Sequence, residues 1–185
     1  MRYMQRWFSV YAVVLLLAAC GGGGGGGGPL GGGGDGGGGD TSTAKVSFSV
    51  ANESGGALGA PVQGVILTVA FPEGVTVATE PGSTSIASQS LSVGKDLTSP
   101  HRIISGSFSG GVARIAVATP EEPVLAAGGE LEIAELTVTH PSAAPPNPAA
   151  LALSIPQAVG YSRTSQSTVD ITAALQASAE VKTVP

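Results

Sequence analysis

The residue with the most distinctive chemistry in this 185-residue chain is Cys20, the only cysteine. A thiolate is a strong nucleophile, and a single thiol cannot form a disulfide within the chain. The stability of the folded part must therefore come from its core. A free exposed thiol would be a liability outside the cell, so we expect Cys20 to be chemically modified in an exported protein.

Residues 1–19 have the composition of an export signal. Arg2 and Arg6 supply positive charge, no acidic residue is present, and an apolar run over residues 8–19 is interrupted only by Ser9. The run is about 12 residues long, well short of the ~20 that a membrane-spanning helix needs. A basic start, a short apolar stretch and small residues at its end are typical of a secretory signal peptide.

The segment Leu17-Ala18-Ala19-Cys20-Gly21 resembles the lipobox of bacterial lipoproteins. The resemblance implies a diacylglyceryl thioether on Cys20, cleavage between Ala19 and Cys20, and attachment to a membrane. Each buried CH₂ contributes roughly 0.8 kcal/mol, so two or three acyl chains hold a protein firmly. Under the sorting rule of diderm bacteria, Gly21 favours the outer membrane or cell surface over the inner membrane. The alternative is an ordinary signal peptide with a chance cysteine.

Residues 21–40 are almost entirely glycine, interrupted by Pro29, Leu30, Asp35 and Asp40. Glycine has no side chain to bury and loses the most backbone entropy on ordering, so we predict a disordered tether. As a flexible coil this segment would span roughly 25 Å, enough to hold a domain clear of lipid headgroups. A phosphate-binding loop is the alternative, but the sequence lacks the flanking strand, helix and lysine that such a loop needs.

The balance of charge argues against nucleic acid as a partner. The chain has 8 Lys and Arg against 13 Asp and Glu, a net charge of −5, and removal of Arg2 and Arg6 with the signal makes it about −7. A surface that binds nucleic acid needs clustered basic residues to neutralise phosphates, and the sequence contains no such patch. The same charge disfavours direct binding of the domain to an anionic membrane.

Candidate catalytic and metal-binding groups are few. His101 and His140 each adjoin a proline and lack the spacing of a zinc site, so we predict solvated loop histidines. Glu121 and Glu122 are adjacent, whereas glycosidase carboxylates face each other across about 5–9 Å. We favour a solvated loop for Glu121 and Glu122. The alternative that Asp96 joins them to bind a calcium ion, which takes six to eight oxygen ligands, stays open. We expect no catalytic residue, no metal and no cofactor.

The aromatic residues argue against a polysaccharide-binding platform, which usually needs two or three exposed planar rings. After loss of the signal the chain retains Phe48, Phe71, Phe108 and Tyr161 only. The three phenylalanines fall on inward strand positions and are predicted to be core residues. Tyr161, close to Arg163, is the one remaining candidate for a contact with a ligand.

Apolar residues of the domain recur with a period of two, which is typical of β-strands. Predicted strands cover residues 45–50, 64–71, 75–77, 102–108, 112–118, 130–139, 151–155 and 169–175. The strongest hairpin signal is Gly110-Gly111, between the fourth and fifth of these strands. The proline-rich residues 141–148 are predicted to form an exposed loop.

The strand at residues 130–139 contains a change of phase. Leu131 and Ile133 are followed by Leu136 and Val138, so the apolar residues move from odd to even positions. A slip of one residue would turn every following side chain to the wrong face. We therefore predict a β-bulge near residues 134–135, with a short helix as the alternative.

Eight or nine short strands with Gly, Pro and Ser turns predict an all-β fold, an antiparallel sandwich of jelly-roll type. We divide the chain into a lipoprotein signal peptide (1–19), a lipid-anchored glycine-rich linker (20–43), a β-sandwich (44–178) and a C-terminal tail (179–185). The domain is large enough for a substantial core. The alanine-rich end leaves open whether the tail is helix or strand.

Three segments resemble the cohesin-like domains, which are related to bacterial carbohydrate-binding modules. They are Val-Ser-Phe-Ser-Val at 46–50, Phe-Pro-Glu-Gly-Val-Thr-Val at 71–77 and Gly-Gly-Glu-Leu-Glu-Ile-Ala-Glu-Leu-Thr-Val at 128–138. The resemblance covers about residues 44–171 and implies a nine-stranded jelly roll. Leu136 stands where the family usually has phenylalanine. Cohesins proper bind dockerin modules through one sheet face, but no residue of this chain can be matched to that face.

The sequence therefore predicts a non-enzymatic β-sandwich, anchored to the cell envelope by a lipid on Cys20, that acts as a protein-interaction or scaffold module. The expected partners are the membrane, through Cys20, and a protein whose identity does not follow from the sequence. The alternative is a carbohydrate-binding module at the cell surface, with polysaccharide as its ligand. A hydrolase with a dispersed active site is the third hypothesis. The oligomeric state does not follow from the sequence.

Overall fold

The computed structural model describes residues 41–120, 125–141 and 145–183, all within the compact unit Thr41–Pro185. The signal peptide and most of the glycine-rich linker lie outside the described residues. The described residues form nine strands and two short 3-10 helices, the latter at Pro148–Ala150 and Thr172–Ala174. The strands are β1 (Ser42–Asn52), β2 (Val62–Ala70), β3 (Leu91–Val93), β4 (Ile103–Ser109), β5 (Val112–Ala118), β6 (Glu130–His140), β7 (Ala152–Ser162), β8 (Ser167–Asp170) and β9 (Leu175–Thr183).

The strands form two antiparallel sheets, one of four strands in the order β3-β6-β1-β9 and one of five in the order β4-β5-β2-β7-β8. One hydrophobic cluster joins them, with Phe48 and Val50 contributed by the first sheet and Leu67 and Ile115 by the second. All four of these side chains are fully buried. The predicted all-β antiparallel sandwich of eight to nine strands is confirmed.

Strand β1 shows how the period-two pattern produces this core. Successive side chains of a strand point to opposite faces, so Val46, Phe48 and Val50 enter the core while Lys45 and Ser49 lie on the outer face. The same rule orients β5, whose Ala113, Ile115 and Val117 are all buried. The period of two that the sequence shows in these strands is therefore the alternation of core and outward side chains.

The hairpin of β4 and β5 turns at Gly110 and Gly111, as predicted. Ser109 pairs with Val112, which leaves the two glycines as the loop. Their φ angles are +58° and +77°, the left-handed backbone that a tight hairpin turn requires at both central positions. Glycine adopts this conformation without steric cost because it has no Cβ.

Strand β6 contains the predicted bulge, one residue earlier than expected. Phe48 pairs with Ala134, but the next residue of β1, Ser49, pairs with Glu132, so Ile133 is the extra residue. The bulge lets both Ile133 and Ala134 face the interior, where they are 1% and 0% exposed. The alternative of a short helix is wrong.

The prediction of a strand over residues 169–175 is correct only in its first part. β8 ends at Asp170, whose Oδ1 accepts a 2.8 Å hydrogen bond from the Thr172 backbone N–H. This turn leads into the 3-10 helix, and the Thr172 Oγ1 accepts a 2.7 Å bond from the Ala158 N–H. Hydrogen bonds from Thr172 also lower the pKa of Asp170 below 3.8. A short side chain that bonds its own backbone favours a turn over a strand.

The C-terminal residues are a strand, which the alanine content of the sequence obscured. β9 pairs with β1 from Leu175 to Thr183, so the expected boundary between residues 178 and 179 falls inside it. Its inward positions are Leu175, Ala177, Ala179 and Val181, all partly buried against the core. By contrast, residues 75–77 do not form the predicted strand, because only an isolated bridge from Thr76 to Thr139 is present there.

Candidate functional site

The residues of the lipobox-like segment, Leu17, Ala18, Ala19, Cys20 and Gly21, lie outside the described residues. Their processing and the lipid on Cys20 stay predictions. Within the described ranges, no helix is long and apolar enough to cross a membrane.

The two histidines occupy different environments. His101 is exposed in a turn, as predicted, and its backbone N–H donates a 3.3 Å bond to Ser99 Oγ. The prediction of a solvated loop is wrong for His140, which is 4% exposed. It is the last residue of β6 and pairs with Ser42. The strand therefore extends up to the residue before Pro141, where the proline had indicated a loop. Its Nδ1 is buried and has no hydrogen-bond partner among the described residues.

Of the three carboxylates considered for calcium, only that of Asp96 belongs to a described residue. Glu121 and Glu122 lie outside the described residues. Asp96 instead contacts β6, where its Oδ2 accepts a 2.9 Å bond from the Glu132 backbone N–H. Across residues 41–120, 125–141 and 145–183, no three or more His, Cys, Asp or Glu side chains are placed to hold a metal ion.

The phenylalanines are core residues, as predicted. Phe48 is fully buried and Phe71 is 9% exposed. Phe108 packs edge-on against Phe71, with ring centroids 6.3 Å apart. Tyr161 is half-buried and is the only Phe, Tyr or Trp ring among the described residues outside this core, so stacking of a sugar on such a ring would rest on Tyr161 alone.

Among the described residues, a polar cleft lies on the outer face of the four-stranded sheet, and we call it the acidic cleft. Its volume is about 250 Å³. Strands β1, β6 and β9 and the residues that follow β3 contribute its lining, which consists of Ser47, Ser49, Lys95, Asp96, Glu130, Glu132, Ser178, Ala179 and Glu180. The cleft therefore lies over the middle of one sheet and not at the end of the sandwich.

The floor of the acidic cleft is low because the central strand carries serines where its neighbours carry glutamates. β1 lies between β6 and β9. Ser47 pairs with Glu135 on one side and Glu180 on the other, while Ser49 pairs with Glu132. Directly opposed side chains of neighbouring strands are only about 4.5–5.5 Å apart at Cβ. A short side chain between long ones therefore leaves a depression.

Ser47 is the unusual residue of this floor. Its neighbours Val46 and Phe48 face the core, so its side chain lies on the outer face, yet only 2% of the residue is exposed. Its Oγ has no hydrogen-bond partner among the described residues. Leaving a buried hydroxyl unpaired costs about 1–3 kcal/mol, and such groups in folded proteins call for an explanation, of which a partner bound from outside is one.

The walls of the acidic cleft are held by a small polar network. Glu132 is 6% exposed, and its carboxylate lies 3.3 Å from the Lys95 Nζ and accepts a 3.3 Å bond from the Lys95 N–H. The side-chain hydrogen bond between the Lys95 Nζ and Glu132, together with the negative charge of Glu132, raises the pKa of Lys95 above its usual 10.5. A second bond crosses the acidic cleft above β1, because Ser178 Oγ on β9 donates a 3.1 Å bond to Glu130 Oε1 on β6.

The charge of the lining is strongly unbalanced. Four carboxylates, those of Asp96, Glu130, Glu132 and Glu180, face one ammonium group, that of Lys95. Glu132 is paired with Lys95, and the Glu180 carboxylate lies 3.4 Å from the Lys182 Nζ, so Asp96 and Glu130 are the two lining carboxylates without an ion pair among the described residues. A concave surface of one sign raises the local concentration of ions of the opposite sign, so the acidic cleft is suited to a cationic group.

Sequence reasoning did not identify the acidic cleft. Alternation along a strand places Ser47 and Ser49 opposite the apolar residues of β1, and Glu130 and Glu132 opposite Leu131 and Ile133 of β6, but it does not relate the two strands. The missing information was which strands are neighbours: β1 and β9 lie far apart in the sequence and meet only in the sheet. The signal in the sequence that could have indicated the acidic cleft is the composition of the outward positions. In each of the three strands β1, β6 and β9, these positions carry serine, glutamate or both.

A scan against models of protein families, a search of curated proteins and a search of solved structures each found no match to this chain.

Proposed function

We propose that the chain is an exported lipoprotein, anchored through Cys20, whose β-sandwich is a non-catalytic protein-binding module. The binding face is the outer face of the sheet β3-β6-β1-β9, and the partner is a protein with a basic surface patch. The observation that carries this proposal is the acidic cleft, because it combines an excess of carboxylates over cations with a buried hydroxyl that lacks a partner among the described residues. Complementary charge of this kind favours fast and specific association.

The carbohydrate-binding alternative has less support. Stacking on sugar rings needs exposed aromatic side chains, and the acidic cleft is lined by none. Its lining is instead made of carboxylates, hydroxyls and one ammonium group, which suits a charged protein surface better than a neutral polysaccharide.

The protein-binding face can be tested by charge reversal. We expect the full chain, cross-linked in its native envelope, to be joined to an identifiable protein with a basic patch. Glu130→Lys should abolish that cross-link, because it places a second cation in the acidic cleft, whereas Glu73→Lys should leave it intact. Both glutamates are exposed, but Glu73 does not line the acidic cleft. Identification of the joined protein by mass spectrometry is the readout, and equal labelling in both variants would refute the proposal.

The anchor is tested separately at Cys20. Cys20→Ala removes the sulfur that would carry the lipid, so we expect the full chain to remain uncleaved or to become soluble. Gly24→Ala, in the same glycine-rich segment, serves as the matched control and should fractionate with membranes as the unchanged chain does. The measurements are detergent phase partition and the mass of the product. A Cys20→Ala chain that is cut and still found with membranes would contradict the lipid anchor.

A further inference from the structure

The acidic cleft has a size that restricts what can enter it. Its volume of about 250 Å³ is below the roughly 300–1,000 Å³ typical of small-molecule sites. A single side chain of a partner fits such a volume better than a sugar or a cofactor. The opening lies on the face of a sheet, so a side chain that projects from another protein reaches it directly.

The lining also restricts the chemistry of the occupant. A calcium ion takes six to eight oxygen ligands, and no group of three or more acidic or histidine side chains among the described residues is arranged to hold a metal. The carboxylates instead stand on different walls. Glu130 lies on β6, Glu180 on β9, and the Ser47 hydroxyl lies on β1 between these two strands.

We propose that the acidic cleft takes one arginine side chain of the protein partner, an inference that rests on the proposed function. A guanidinium group is planar and carries five N–H donors in a fixed fork. It can therefore donate to carboxylates on two walls at the same time and, when the side chains that cover Ser47 move aside, to the Ser47 Oγ as well. An ammonium group is more strongly hydrated and acts as a point charge, so lysine is expected to bind less well.

The Ser47 hydroxyl is the part of the site that identifies an occupant rather than a general acidic surface. It is buried, it lines the acidic cleft and it has no partner within the described residues. A surface that served only to repel anions would not need a donor or acceptor at its floor. A guanidinium N–H that reaches this Oγ completes its hydrogen bonding.

The test uses the full chain in detergent and three blocked pentapeptides, each with two glycines on either side of arginine, lysine or citrulline. Citrulline has the shape of arginine without its charge. We expect the arginine peptide to shift the backbone amide signals of Ser47, Ser49 and Ser178 in NMR spectra, with a Kd of about 1 mM, as one side chain can provide. Lysine should bind several-fold more weakly and citrulline at least about tenfold more weakly.

Matched variants locate the binding. Glu130→Gln should weaken the arginine peptide about fivefold, and Glu73→Gln, which removes the same charge elsewhere, should have no effect. Ser47→Ala should weaken it about threefold to tenfold and should leave the melting temperature of the chain unchanged or raise it, because a buried hydroxyl without a partner costs stability. A reduced melting temperature in Ser47→Ala would show that the hydroxyl is structural and would count against the proposal.

Two results would overturn the inference. One is equal binding of arginine and citrulline; the other is an equal loss in Glu130→Gln and Glu73→Gln. Either of them, together with a cross-linked partner that Glu130→Lys abolishes, would leave the protein-binding face in place and remove only the arginine pocket. If the cross-link is instead insensitive to Glu130→Lys, the proposed function itself fails.

Discussion

Replacing Asn52 with aspartate is expected to lower the free energy of unfolding by at least about 3 kcal/mol. Asn52 is 2% exposed at the end of β1. Its Nδ2 donates to the carbonyl oxygens of Gly56, Leu125 and Ala126 at 2.9, 3.2 and 2.9 Å. An aspartate has the same shape but no donor, so it would place a carboxylate oxygen against three carbonyl oxygens away from water.

The other half of the Asn52 side chain would be little changed by this substitution. Its Oδ1 accepts from the Ser54 backbone N–H at 2.9 Å and from the Ser54 hydroxyl at 2.6 Å, bonds that a carboxylate can also accept. The expected loss therefore isolates the donating Nδ2. Chemical denaturation at neutral pH, analysed by the shift in midpoint, measures it.

Asn147→Asp provides the matched control for Asn52→Asp. Asn147 Oδ1 accepts a 3.0 Å bond from the Ala149 N–H at the start of a 3-10 helix, in an exposed position. Aspartate performs this capping role about as well as asparagine, so the stability should change by less than about 0.5 kcal/mol. An equal loss of unfolding free energy in the two variants would mean that the hydrogen bonds from Asn52 Nδ2 to the loops at Gly56 and Leu125 do not stabilise the fold.

Substitution of Gly94 by alanine is expected to cost about 3 kcal/mol and to lower the melting temperature by roughly 10 °C. Gly94 follows β3 and donates a 3.0 Å bond to the carbonyl oxygen of Ile133, the extra residue of the β6 bulge. A Cβ at position 94 would overlap the carbonyl group of Glu132 and lie 2.7 Å from the Ile133 nitrogen. These are backbone atoms, so the strand itself would have to move.

Gly59→Ala is the control for Gly94→Ala, because a Cβ at Gly59 meets nothing within 4 Å. Alanine has less conformational freedom than glycine in the unfolded chain, so Gly59→Ala should leave the free energy of unfolding unchanged or raise it by about 0.4–1 kcal/mol. Differential scanning calorimetry of both variants gives the comparison. If Gly94→Ala and Gly59→Ala have the same melting temperature, the close approach of the residue after β3 to the β6 bulge does not constrain this fold.

Gly94→Ala should also affect the acidic cleft. Lys95 and Asp96 follow directly, and both contact Glu132. A displacement of this segment would move one wall of the acidic cleft while leaving β9 in place. We therefore expect the arginine peptide to bind less well to Gly94→Ala even below its melting transition.

The parts of the fold that follow from local pattern were predictable. Alternation identified the inward residues of β1 and β5, and the glycine pair identified the hairpin between β4 and β5. The bulge in β6 was predicted from the change of phase between Ile133 and Leu136, because burial of both apolar sets leaves few other solutions. Errors arose where a side chain overrides the pattern, as at Asp170, whose bond to Thr172 turns the chain.

Contacts between distant segments could not be derived in the same way. His140 adjoins a proline, which indicated a loop, but pairing with Ser42 extends the strand over it. The structural role of Asn52 could not be predicted from the sequence. Its side chain stabilises the fold by donating to the carbonyl oxygens of Leu125 and Ala126, which are distant in the sequence. The acidic cleft is of this kind too, since each of its walls comes from a different strand.

The pairing of β1 with β9 has a consequence for the order in which the molecule can form. These are the first and last strands of the described residues, and they are neighbours in the sheet. Because the chain is made from its N-terminus, β1 is present before β9, and the edge of β1 that pairs with β9 stays unpaired until β9 is available. Unpaired strand edges are sites of aggregation, and pairing over such a long separation is intrinsically slow. A chaperone that shields the free edge of β1 would therefore act before β9 pairs with it, and so before the acidic cleft exists.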